Sequence, residues 1–488
     1  MKKIKDFIKR EYQNNKSQYF ILFLLLLSFV GIFSLDRSAA DTYSLESYQY
    51  MFNDGLPYFT DGRFFMTGFV LLFRQFHLSY HILKVCSWII AFSSIYLSII
   101  LINRMFLLTT GRNHYWLSFL LVLNIFVVEF FVYADYAGIM CLGILFSAIS
   151  SYLYLLFLHE KKKKYLFFSM MASLCTTFCY QGVISLVVLF PIMFTLKYSN
   201  NIKKFINNTL SLVCVYSVPT LSALLIGKII GTSRLNASLT FQKSAIKIFT
   251  DVRELLEYTA YILPKYLFLG LFVFNLIVIL IIMLKQKKKI YEYLFLIYCI
   301  VACMFVPLFP QFIIGYENIW IVPRSNVGLG ILVIYPILFS ILYLKPEKYY
   351  LYFLGITMFI LTYFEFRGYL NIGYNQIKTN ALEKKELNQI IEKIDKYQLT
   401  GQKIENISIY YDNDVTYSYG DIISFGDINT RTLAKDWGIK AMLYHSLKKS
   451  LNEVNDDDFN EYCHANNWIE MNDENVQLEN NTLYICIY

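Results

Sequence analysis

Apolar runs of about twenty residues recur along the first three quarters of this chain, each closed by a polar or cationic stretch. Hydrocarbon roughly 30 Å thick takes about twenty apolar residues in a helix rising ~1.5 Å per residue. On that ruler about eleven membrane spans are predicted. They fall near 18–35, 80–102, 114–132, 137–158, 165–180, 182–197, 206–227, 264–284, 290–309, 327–344 and 348–365. The fifth and sixth are short and meet at Tyr180-Gln181-Gly182, so that pair reads either as two spans or as one span with a re-entrant piece. The expected fold class is an all-α polytopic membrane protein.

The cations between the runs give an orientation. Lys2, Lys3, Lys5, Lys9 and Arg10 precede the first span, and Arg104 and Arg112 follow the second. Lys161 to Lys164, then Lys197, Lys203 and Lys204, then Lys285 and Lys287 to Lys289, and finally Lys345 and Lys348 fall in alternate connections further on. Cationic loops stay on the cytoplasmic side. The pattern therefore places the N-terminus in the cytoplasm, and an odd number of spans places the C-terminal tail outside, on the plasma membrane of a cell. The basic segment Met1 to Lys16 with the apolar run Tyr19 to Leu35 is expected to be the first span rather than a cleaved signal, because no small-residue cleavage site follows it.

Composition marks where the membrane part ends. Charged residues make up 16% of the chain, against roughly 25% in a soluble globular protein, and the deficit lies in residues 1–365. Residues 366–488 carry 12 Lys and Arg against 19 Asp and Glu, a net −7, while residues 1–365 carry 32 against 17, a net +15. Two domains follow, a transmembrane domain over 1–365 and a small extracytoplasmic α/β domain over 366–488. In the tail, Lys378 to Tyr397 has helical period, Ile407 to Tyr411 and Leu483 to Tyr488 read as strands, and helical patterns occur near Thr430–Leu451 and Asp457–Asn467. Cations lying between apolar runs do not form the soluble patch that nucleic acid requires, so no nucleic-acid partner is expected. Of nine cysteines, Cys463 and Cys486 share the tail and are candidates for a disulfide.

Three non-cytoplasmic loops are long enough to build a site. The first, Asp36 to about Ser79, holds Asp36, Asp41 and Asp61-Gly62-Arg63 ahead of an apolar half-helix, Phe64 to Phe76. The second, Lys228 to Leu263, holds an amphipathic stretch, Ser244 to Tyr261, suited to a membrane surface. The third is Pro310 to Asn326. A carboxylate at Asp36 or Asp41, just past the first span, is placed to act as a general base toward a hydroxyl. Arg63 is placed to pair with a lipid phosphate, since guanidinium binds phosphate in bidentate fashion. The same acids also suit helix caps, and Asp-Gly also suits a turn.

Asp135, Gln181, Glu317 and Arg324 lie near predicted outer span ends and are further candidates for substrate binding. Ionisable groups at membrane depth are costly and mark function by default, though ion pairs of purely structural role share the position. Glu129, inside the third apolar run, needs a buried partner. No phosphate-binding loop, nucleophile elbow or Cys/His metal spacing occurs, so no metal and no bound cofactor is expected. The cytoplasmic loops are too short to fold a nucleotide-sugar domain.

These residues together resemble the bacterial GtrII-type glucosyltransferase membrane proteins of the polyprenyl-phosphate-dependent GT-C class. The likeness rests on Asp36 and Asp41 after the first span, Asp61-Gly62-Arg63 opening an apolar helix, Tyr180-Gln181 between two short spans, Pro323-Arg324 ahead of a late span, and the small α/β tail. It departs from the expected pattern of adjacent acids, since Asp41 sits between Ala40 and Thr42, and which of Asp36 and Asp41 is the base stays open. The resemblance implies a GT-C-like fold and an inverting transfer of a sugar, glucose by the family's habit. The donor would be a polyprenyl-phosphate carrier and the acceptor a cell-surface glycan, with a flippase and a polyprenyl-phosphate sugar synthase as companions. A polysaccharide polymerase, or a transporter or flippase of lipid-linked sugars, is the alternative.

Overall fold

The computed structural model describes residues 2–30, 59, 62–199, 202–231, 241–262, 264, 266–313, 316, 319–344, 348–422, 424 and 427–488. The chain divides into two compact units. One contains Asp135–Leu370 and the described helices before Val132; the other contains Val132–Ala134 and Asn371–Tyr488.

The regular elements described in the first unit are helices. Its helices are α1 (Lys2–Val30), α2 (Phe64–Gln75), α3 (Tyr80–Thr110), α4 (Tyr115–Val122), α5 (Ala137–Glu160), α6 (Lys163–Cys179), α7 (Leu186–Thr195) and α8 (Ile202–Ile230). They are followed by α9 (Phe241–Ile262), α10 (Leu267–Lys285), α11 (Ile290–Phe305), the single turn α12 (Phe309–Ile313), α13 (Ile334–Tyr343) and the 52-residue α14 (Lys348–Leu399), whose residues after Leu370 belong to the second unit. Among the described residues, six stretches are long and apolar enough to cross a membrane: Tyr80–Thr110, Ala137–Glu160, Gln181–Tyr198, Ile202–Ile230, Leu267–Lys285 and Pro323–Tyr343. Asn15–Phe29, Phe64–Gln75 and Ile290–Phe305 are shorter apolar helices.

At two places the predicted elements take a different form. The apolar run 114–132 is not one helix: α4 stops at Val122, and a 3-10 turn, Val127–Val132, follows a break. Asn124 explains the break, because its side-chain oxygen accepts the backbone N–H of Phe126 at 3.1 Å and so competes with the helical ladder. Its carbonyl takes the Tyr369 hydroxyl at 3.2 Å. Gly330 makes room for Asn124, since a Cβ there would lie 2.1 Å from the Asn124 side-chain oxygen. The second difference is at the C-terminal end, where the predicted span 348–365 and the predicted tail helix Lys378–Tyr397 are parts of the single helix α14.

The second unit adds α15 (Asp436–Leu447), α16 (Asp457–His464) and four strands, β1 (Asn406–Tyr411), β2 (Asn452–Glu453), β3 (Val476–Glu479) and β4 (Thr482–Ile487). The sheet order is β2-β1-β4-β3, with β1 parallel to both neighbours and β3 antiparallel to β4. Alternate strand residues, Ile407 on β1 with Leu483, Ile485 and Ile487 on β4, pack on Ile390 and Ile394 of α14 and on Ile439, Met442 and Leu443 of α15. A disulfide joins Cys463 of α16 to Cys486 of β4.

Beneath this core Arg431 is fully buried. Its guanidinium carbon lies 4.1 Å from the Tyr488 ring centre and 4.6 Å from that of Tyr419, with Glu386 at 3.4 Å and the Tyr488 carbonyl at 2.6 Å. Glu383, one turn before Glu386, accepts the backbone N–H of Thr432 and the Asn380 amide. Burial pushes the Glu383 carboxyl up to about 7 against the hydrogen bonds that favour its anion.

Candidate functional site

Three of the residues singled out from the sequence come together in the first unit, and each is positioned by a local break in helix. Arg63 is the residue before α2, and the first turn of that helix closes on its carbonyl through the Thr67 N–H and hydroxyl. Gly62 ahead of it has φ +74, a left-handed conformation that a side chain would strain. It lies beside Gln181, whose amide nitrogen would stand 3.4 Å from a Cβ at that position.

Gln181 opens a 3-10 turn, Gln181–Val183, after α6 ends at Cys179. Gly182 is there for space: a Cβ on it would lie 2.4 Å from the Arg324 carbonyl oxygen and 2.9 Å from the Ser325 Cα. The 3-10 segment Pro323–Ile331 packs directly on this glycine. Pro323 starts it, as suits a first helical position, and Arg324 follows.

Arg324 and Glu129 form a double contact. The Arg324 Nη1 donates to Glu129 Oε1 at 2.5 Å, and the Arg324 backbone N–H donates to Oε2 at 2.6 Å. The Glu129 side chain is 0% exposed and that of Arg324 16%. The lone carboxylate of the third apolar run thus has its partner. The Arg324 guanidinium also reaches the hydroxyl of Tyr180. On the same ring lies Arg63, its guanidinium carbon 5.1 Å from the centroid, while Phe130 meets the ring edge-on at 5.6 Å. Tyr180 is therefore the hub: a buried ring with one arginine on its face and a second at its hydroxyl.

Asp135 is fully buried in the turn ahead of α5. That helix starts hard against α3, where the Gly138 N–H donates to the Ser87 hydroxyl at 2.9 Å and a Cβ on Gly138 would come 2.6 Å from the Ser87 carbonyl. Asp36, Asp41, Asp61 and Glu317 lie outside the described residues. Among the described residues no group of three metal-ligating side chains is present.

The sequence named Arg63, Gln181 and Arg324 separately but did not show Tyr180 as the ring between them. Its position beside Gln181, in a polar interruption between two apolar runs, was the available signal. The buried cluster around Arg431 was missed, as was Glu365 on α14, which is 2% exposed with one carboxyl oxygen buried and without a hydrogen bond. No family model matches the chain, and no curated protein or solved structure does.

Proposed function

We propose that this protein is an inverting glycosyltransferase of the GT-C type, resembling the GtrII glucosyltransferases, which moves a sugar from a polyprenyl-phosphate carrier to a cell-surface glycan. The reading places about eleven spans in the plasma membrane, with the N-terminus in the cytoplasm and both the site and the tail outside. One observation carries it: Arg63 and Arg324, from widely separated parts of the sequence, meet at Tyr180 beside Gln181. Two guanidiniums gathered beside apolar helices suit the phosphate of a lipid-linked donor. The Cys463–Cys486 disulfide supports an external tail, because such bonds persist in oxidising compartments.

In the transfer, a carboxylate of the first loop, Asp36 or Asp41, takes the proton of an acceptor hydroxyl as its oxygen attacks the anomeric carbon. The bond from that carbon to the phosphate oxygen breaks, and the lipid phosphate leaves with the electron pair. The charge of the leaving phosphate is held by Arg63 or Arg324, the two arginines at Tyr180. Arg324 also holds the Tyr180 hydroxyl and so fixes the ring on which Arg63 lies.

The test is to express Asp36→Asn and Asp41→Asn and follow glycan modification in cells. One variant should insert normally and leave the glycan unmodified. Two fully active variants would remove the catalytic assignment. Glu365 gives the transporter reading its one supporting observation, a buried carboxyl group with one oxygen that has no hydrogen bond among the described residues. Movement of lipid-linked sugar into vesicles without any acceptor would decide for transport.

A further inference from the structure

We infer that α9 lies along the lipid surface as an interfacial helix and anchors the segment that carries Arg324. The inference rests on the reading of the apolar helices as membrane spans, but not on the transferase chemistry. The helix has three sectors. Ser244, Ile248 and Leu255 are buried and form one seam. At ~100° per residue, Phe249 and Leu256 stand about 80–100° round from Ile248. They are 68% and 43% exposed. Lys243, Thr250, Glu254 and Glu257, all exposed, fall about 180–240° round from the same reference. Gln242, Arg253 and Ile246, all exposed, fall at about 120–160° between these two sectors.

A helix wholly in water would not carry the second sector bare, and a helix within hydrocarbon would not carry the third. A lipid surface satisfies all three, with protein on one flank, acyl chains beneath and water above. The neighbours in the chain argue for lipid rather than a protein partner. α8 and α10, which enter and leave α9, both belong to the span class. Both of those helices carry outward apolar residues at the ends nearest α9 in sequence, with Ile229 84% exposed and Leu269 56% exposed. Charge argues further about which lipid. Lys243, Lys247 and Arg253 are matched by Asp251, Glu254 and Glu257, so adsorption draws on apolar area and not on anionic headgroups.

The anchor runs through Lys247. Its Nζ donates to the Tyr316 carbonyl at 3.4 Å and stands 5.3 Å from the centre of the Tyr316 ring. Further along, the Gln311 side chain bonds both the N–H and the carbonyl of Trp320, and Ser325 bonds the same carbonyl at 2.8 Å. A helix fixed at the lipid surface thereby sets the depth of Arg324.

The experiment uses the full chain in phosphatidylcholine vesicles, with and without phosphatidylglycerol. In a Cys86→Ser, Cys175→Ser, Cys214→Ser background, nitroxide labels go on Phe249→Cys, Leu256→Cys, Thr250→Cys and Glu257→Cys, with Phe274→Cys of α10 as a span control. Spin-relaxation accessibility should favour oxygen at 249, 256 and 274 and a water-soluble nickel chelate at 250 and 257, unchanged by the anionic lipid. An oxygen-rich control with 249 and 256 as nickel-accessible as 250 overturns the inference while leaving the spans in place. Protection of 249 and 256 from both reagents means a protein partner and overturns it as well. A nickel-accessible control overturns the membrane reading and this inference together.

Discussion

Arg324 occupies both oxygens of Glu129 at once, one through its guanidinium at 2.5 Å and the other through its own backbone N–H at 2.6 Å. The carboxylate is fully buried, and the arginine supplies a hydrogen bond to each of its oxygens. Removing one member of such a pair leaves a buried charge uncompensated, which costs about 3–5 kcal/mol. Exchanging both for apolar groups of similar size avoids that cost.

Glu129→Leu is therefore expected to lower unfolding stability in detergent by about 3–5 kcal/mol. The double variant Glu129→Leu/Arg324→Met should recover most of the loss. Thermal unfolding of both checks this. Modification of the glycan should stay low in the double variant, since Tyr180 has lost the group that reaches its hydroxyl. Equal instability of the single and double variants would show that the pair is not the source of the cost.

Arg63 separates function from fold. It opens α2, and its guanidinium lies over the Tyr180 ring. Lysine keeps the charge but not the planar fork that matches a phosphate. Arg63→Lys is expected to cut glycan modification about ten- to a hundredfold, the range of one lost charge-assisted hydrogen bond of roughly 1.5–3 kcal/mol. The unfolding midpoint should move little. Modification at the wild-type rate would take Arg63 out of the binding of the donor phosphate.

How much of this the sequence displayed depends on the range of the interactions involved. Tyr80–Thr110, Ala137–Glu160 and Ile202–Ile230 are continuous apolar helices, and hydropathy alone marks them. The break at 123–126 was hidden, because it requires Asn124 to meet Gly330 and Tyr369, both far away in sequence. Arg63, Gln181 and Arg324 each stood out as a polar interruption of apolar sequence. Their meeting did not, because it depends on Gly182 admitting the Pro323–Ile331 segment. In the tail, strand alternation was plain in Leu483, Ile485 and Ile487, whereas Arg431 looked like any surface cation until two tyrosine rings enclosed it.

The tail disulfide yields a stability prediction and a test of compartment. Cys463 and Cys486 close a short loop, with a sequence separation of 23, for which chain-entropy arguments give about 3 kcal/mol. Cys463→Ser/Cys486→Ser should destabilise the tail by about 2–4 kcal/mol, read as faster proteolysis on intact cells. Maleimide should label the wild-type pair only after reduction. Free thiols in the untreated protein would argue against an oxidising side.

Glu383 gives the tail a pH dependence whose sign follows from its environment. Burial raises its folded pKa to about 7, from an ordinary value of 4.5. Between those values the native state keeps a proton that the unfolded chain has released, so stability falls as pH rises through the window and levels off above it. The slope is about 1.4 kcal/mol per pH unit, and the whole effect is about 3 kcal/mol. Arg431 lies in the same cluster, 3.4 Å from Glu386. Glu383→Gln mimics the protonated form, keeps an acceptor for the Thr432 N–H and should flatten the profile between pH 4.5 and 7. Limited proteolysis of the tail across that range measures both proteins; a slope that survives in the variant would assign the proton to another group.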